Sequence, residues 1–76
     1  MDKFTVFEAV QRSDRSWELR DPSGVCLLLA SSKKEILRSA ERLVRKQAPS
    51  QLLVRGTDGE LLDEFTYGPA AIPPPF

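Results

Sequence analysis

The chain has no histidine, a single cysteine, a single methionine and no net charge, and most of these shortages remove a class of function. Histidine is the side chain whose ordinary titration falls near neutral pH, so acid–base catalysis would have to rest on exposed carboxylates alone. The same gap, with Cys26 as the lone thiol, leaves no zinc-ligand spacing and no partner for an internal disulfide. No metal, no cofactor and no enzymatic activity are therefore expected. Eleven basic residues balance eleven acidic ones, which argues against a protein built to coat nucleic acid. No apolar run approaches the ~18–20 residues that a membrane span requires. The N-terminus, Met1-Asp2-Lys3-Phe4, lacks the pattern of a signal peptide. A lone cysteine in an apolar run fits a reducing compartment, so a cytoplasmic location is expected.

Small size sets the next limit. Seventy-six residues make one small core, and a chain of this length buries only about 60 % of the surface its unfolded form exposes. With no disulfide or metal to help, self-association becomes an expected source of stability.

What is present reads as strands around one helix. Residues 3–10, Lys3 to Val10, are rich in aromatic and β-branched types and read as a strand. A polar break at 11–15 follows. Residues 16–20 then alternate, with Trp17 and Leu19 on one face and Glu18 and Arg20 on the other. Asp21-Pro22-Ser23-Gly24 is a turn, because proline presets φ, aspartate bonds nearby backbone and glycine supplies a permissive exit. Val25 to Ala30 reads as a third strand, apolar on both sides, completing an antiparallel meander.

Ser32-Lys33-Lys34-Glu35 matches a capping box and opens a helix. Ile36, Leu37, Ala40, Leu43, Val44 and Ala48 form its apolar stripe, and Pro49 ends it. Beyond it, Gly56-Thr57-Asp58-Gly59 separates two apolar runs, the signature of a hairpin. The last eight residues, 69–76, form a tail whose three consecutive prolines favour polyproline II. The expected architecture is a single α+β domain over 1–68. Its sheet is antiparallel, with about five strands in the order βββαββ and one helix on one face.

Several of these pieces together resemble a known family. Trp17 in the second strand, Ser32 to Glu35 at the helix start, Ala40, Asp58-Gly59 and Tyr67-Gly68 resemble the small bacterial proteins grouped as domain of unknown function 2188. The resemblance spans nearly the whole chain and implies the same small α+β fold, with no assigned activity. Members tend to carry an Asp-Pro soon after the Tyr-Gly, whereas this chain runs Gly68-Pro69-Ala70-Ala71. The tryptophan hairpin followed by a capped helix is also similar to the arm-binding domains of phage-type integrases. Those lay a sheet into the DNA major groove, but the strands here carry few of the cations that groove reading needs.

Two candidate surfaces follow. Residues 32–48 carry six cations against two carboxylates, a local charge of +4, while residues 57–66 carry −4. The basic set Lys34, Arg38, Arg42, Arg45 and Lys46 could meet phosphates or an acidic partner. The competing account is a solvated helix face, with Arg45 and Lys46 favoured by the helix dipole. Trp17 is expected in the core under the helix. The second face of the sheet holds more apolar residues than one helix can cover, and such a patch usually marks an interaction surface. Phe7, Cys26, Leu28, Leu62 and the tail residues Ile72 and Phe76 are the candidates there. Either the tail or a second copy of the chain would close that face. The function expected is a non-enzymatic protein-interaction module, with a homodimer through the second sheet face as one form of it and nucleic-acid binding through the helix as the alternative.

Overall fold

Five strands and one helix follow one another as β1 (Thr5–Gln11), β2 (Trp17–Arg20), β3 (Cys26–Ala30), α1 (Lys33–Lys46), β4 (Ser50–Arg55) and β5 (Leu61–Tyr67). They belong to a computed structural model that describes residues 4–68. The proline-rich tail, with Ile72 and Phe76, lies outside the described residues.

All three hairpins are built alike. In each, the N–H of the fourth turn residue donates to the carbonyl of the first, and the N–H of the first donates to the carbonyl of the residue after the turn. The pairs are Arg15 to Arg12 and Arg12 to Ser16, then Gly24 to Asp21 and Asp21 to Val25, then Gly59 to Gly56 and Gly56 to Glu60. The fourth residue has positive φ every time, at 74° for Arg15, 90° for Gly24 and 84° for Gly59. This is a type I turn closed by one left-handed residue. In the Asp58-Gly59 turn only Gly59 takes positive φ. Arg15 occupies the left-handed slot without glycine's freedom.

The helix begins as its sequence indicates, with a variation in its cap. The Ser32 hydroxyl accepts from the Glu35 N–H at 3.2 Å. The Glu35 carboxylate reaches past Ser32 and accepts from both the N–H and the hydroxyl of Ser31, at 3.3 and 2.9 Å. At the other end the helix stops at Lys46 with Gln47 as cap, two residues before the cis Ala48–Pro49 bond. Ala48, assigned to the apolar stripe, is exposed beyond the helix. The buried Ser50 hydroxyl donates to the Val44 carbonyl at 2.6 Å, adding a second donor to the Gln47 N–H at 3.0 Å at the helix end.

The sheet has the order β3-β2-β1-β4-β5 and is mixed, which corrects the antiparallel expectation. β1 and β4 pair in parallel, from Thr5 opposite Ser50 to Val10 opposite Arg55, while the other three pairings are antiparallel. The reason lies in the helix. Fourteen residues of helix carry the chain about 21 Å back along the sheet. The strand after it therefore runs the same way as the strand before it. β3 is already parallel to β1 through two antiparallel pairings, so β4 enters beside β1 in parallel.

Phe7, Ala9, Trp17, Leu19, Leu52 and Val54 face Ile36, Ala40 and Val44 of the helix to form the core. Leu28, Ala30, Leu37, Leu43, Phe65 and Tyr67 pack around its margin. Trp17 holds the core position expected of it, at 4 % exposure.

Candidate functional site

Alternation along the strands decides what the free face of the sheet presents. With Phe7, Leu19 and Leu52 turned to the helix, Val6, Glu8, Val10, Glu18, Arg20, Leu53 and Arg55 look the other way. The centre of that face is an ion-pair lattice. Arg55 Nε donates to Glu8 at 3.1 Å, and its Nη1 donates to the Gly59 carbonyl at 3.1 Å. Glu18 is buried, held by Arg20 beside it and by Arg12 at 3.8 Å. Glu8 and Arg20 stand opposite each other across β1 and β2.

This corrects the picture of a second face that is apolar throughout. Phe7 lies in the core at 4 % exposure and Leu28 packs at the core's margin, so both belong to the helix side. Counting apolar residues on each strand did not show which set the helix would choose. Long arginine stems and their carboxylate partners cover the middle of the other face.

Apolar exposure is concentrated at the rims. At the β3 rim Val25, Leu27 and Leu29 are exposed, Leu29 the most at 61 %. Cys26 is also exposed, with its Sγ 3.5 Å from the Leu28 carbonyl oxygen. At the opposite rim stand Leu61 and Leu62, in the strand that also carries Asp63 and Glu64. The candidates Cys26 and Leu62 therefore sit at opposite ends of the sheet and share no surface.

The basic candidates occupy the outer ridge of α1. Arg45 is engaged internally, in an ion pair with Glu41 at 2.9 Å and with its guanidinium 5.6 Å from the centre of the Tyr67 ring. Lys34, Arg38, Arg42 and Lys46 have no ion-pair partner among the described residues. They span about 18 Å of helix. Burial pushes the Tyr67 hydroxyl above the usual tyrosine range, with the Glu41 charge adding to the effect and Arg45 opposing it.

Depressions beside the helix are open and shallow. One of about 250 Å³ is lined by Leu37, Glu41, Leu52, Phe65 and Tyr67. Another, of about 330 Å³, runs past Leu28, Ser39, Arg42, Leu43 and Lys46. Among the described residues, no three His, Cys, Asp or Glu side chains are grouped to hold a metal ion, and no helix is long and apolar enough to cross a membrane.

Two features escaped sequence reasoning. Glu18 alternates like a solvent-facing residue yet is buried by its arginines. The β3 rim was signalled by six residues without a charge, Val25 to Ala30, but its place at the sheet edge depends on the parallel β1–β4 pairing. No protein-family model, curated protein or solved structure matches the chain.

Proposed function

We propose that this chain is a non-enzymatic protein-interaction module whose working surface is the bare sheet edge along β3. The order of Trp17, the Ser32–Glu35 cap and Asp58-Gly59 supports placing it near the domain of unknown function 2188 proteins. One observation carries the functional reading: Cys26–Ala30 ends the sheet with no charge and no proline, and with Leu27 and Leu29 exposed. Such an edge offers a row of backbone donors and acceptors to an extended segment, and alternate side chains set its specificity. The carboxylates that could serve chemistry are largely committed elsewhere. Asp14 and Asp21 close turns, Glu35 caps the helix, and Glu8, Glu18 and Glu41 hold arginines.

The test is a nuclear magnetic resonance titration of the whole chain with end-capped, extended apolar hexapeptides. Binding at the edge shifts the amides of residues 26–30 and leaves the outer helix ridge unchanged. A response confined to any other surface rejects the reading.

A second reading rests on four of the helix's unpaired cations, Lys34, Arg38, Arg42 and Lys46, which form one ridge suited to a phosphate backbone. Four phosphate contacts on duplex DNA would give a log–log salt slope of about −3.6. Duplex DNA and RNA that leave the amides of 33–46 unshifted at low salt end this alternative.

A further inference from the structure

We infer that the partner at the β3 edge is a second copy of this chain, paired antiparallel about a two-fold axis through Leu28. The inference rests on the reading of β3 as the working surface and names its occupant.

The strand is self-complementary about its centre. With the axis at Leu28, Leu28 faces Leu28 of the second copy and Leu27 faces its Leu29. The regular part of this register runs from Leu27 to Leu29, because a bulge opposite Arg20 displaces Cys26. Moving the axis by one residue would no longer set the exposed Leu27 against Leu29. Leu27 and Leu29 flank Leu28 with the same parity, so their backbone groups meet across the axis as an antiparallel ladder requires, while the bulge takes Cys26 out of that alternation.

Side chains fit the same arrangement. Leu27 and Leu29 lie on the free face, so the axis brings four exposed leucines together, two from each copy. Leu28 and Ala30 extend the core's margin toward the second copy on the helix side. The paired strands hold no charge that would lose its hydration.

The other pairings available to two copies are disfavoured. Two β5 edges would bring Asp63 and Glu64 against the same acidic pair. A β3 edge against a β5 edge would place those carboxylates beside leucines with no cation in β3 to meet them. It would also leave further edges free and propagate as an open chain. β3 on β3 closes as a two-fold dimer of ten continuous strands without setting carboxylates against each other. So short a paired segment makes a small interface, so a dissociation constant on the order of 10–100 µM is expected.

Sedimentation equilibrium of the whole chain from 5 µM to 1 mM tests this, with Leu29→Lys and Leu27→Glu as variants. Both positions are exposed, so the fold should survive, which near-identical amide spectra outside 25–31 would verify. The wild type should approach twice its 8.5 kDa mass. Each variant alone should weaken association at least tenfold. Mixing the two should restore at least half of the loss, because Leu27 faces Leu29 of the second copy only in the register centred on Leu28. A wild type that stays monomeric at 1 mM overturns the dimer, while shifts at 26–30 from the hexapeptides would leave the interaction-module reading standing. A dimer insensitive to Leu29→Lys overturns the edge assignment. Association that appears only after deletion of residues 69–76 assigns the edge to the chain's own tail and overturns it too.

Discussion

Strands β3 and β5 close the same sheet at opposite ends, and both present exposed leucines, yet only β5 carries charge. Asp63 and Glu64 interrupt β5 and make a second β5 edge a poor neighbour. β3 has no such device. The two edges also differ in how they are held, because α1 packs directly over β3 and only lightly over β5. β3 lies beside Trp17 and Leu19, both fully inside the core, with Ala30 opposite Trp17 and Leu28 opposite Leu19. β5 lies beside Leu52 and Ser50, which are just as deep, and its Phe65 and Tyr67 are half-buried as Leu28 and Ala30 are in β3. An edge meant for a partner must stay rigid and uncharged, and β3 satisfies both conditions. β5 behaves as a terminus protected by charge.

The comparison can be broken most forcefully at its anchors. Trp17→Ala should cost about 3–5 kcal/mol, against roughly 2 kcal/mol for Phe65→Ala at its half-buried position, as read by urea denaturation. Equal losses would mean that the two edges are held alike. Ser50→Ala should cost about 0.5–1.5 kcal/mol by removing one buried hydrogen bond, since the Val44 carbonyl keeps the Gln47 N–H at 3.0 Å. Because Ser50 pairs with Tyr67, amide exchange should accelerate in β5 while β3 keeps its protection.

Neutralising the guarded edge should turn it into a sticky one. The double variant Asp63→Asn, Glu64→Gln should gain concentration-dependent mass beyond that of a dimer, measured by light scattering; an unchanged mass would deny the carboxylates a protective role. Arg15→Gly should stabilise the β1–β2 hairpin that backs β3. It removes ~1–2 kcal/mol of left-handed strain and adds up to ~1 kcal/mol of unfolded-state entropy, a net gain of about 0.5–1 kcal/mol in a thermal melt.

The smallest effect concerns pH. The folded Tyr67 holds its proton to higher pH than the unfolded chain does. Its contribution to stability is complete below the ordinary tyrosine value near 10 and is lost as pH rises through the folded value. Tyr67→Phe should flatten that alkaline decline. Asp14 and Asp21 behave oppositely, since bonds from Ser16 and from Val25 respectively lower their titration. Their stabilisation is present above the ordinary carboxylate range and fades as pH falls through the folded values.

Local patterns carried much of this fold in the sequence. The period-two run Trp17-Glu18-Leu19-Arg20, the Ser32 cap and the Asp58-Gly59 turn each depend on near neighbours, and each forms where its residues indicate. Pairing between distant strands was not legible. The parallel contact of β1 with β4 follows from the direction in which the helix returns the chain, which no local pattern encodes. The free face was misjudged for a related reason. Phe7 and Leu28 looked available because strand parity alone does not name the side that the helix takes. The ion pair of Glu8 with Arg55 joins residues 47 positions apart, so the charge covering that face was hidden until β1 and β4 met.

The most direct measurement is an isotope-filtered Overhauser experiment on a 1 mM mixture of labelled and unlabelled chains. Contacts between Leu27 of one copy and Leu29 of the other, with Leu28 meeting its own counterpart, are the expected result. Intermolecular contacts confined to Leu61, Leu62 or the helix ridge, or none at all, would contradict the assignment of β3 as the edge that two copies share.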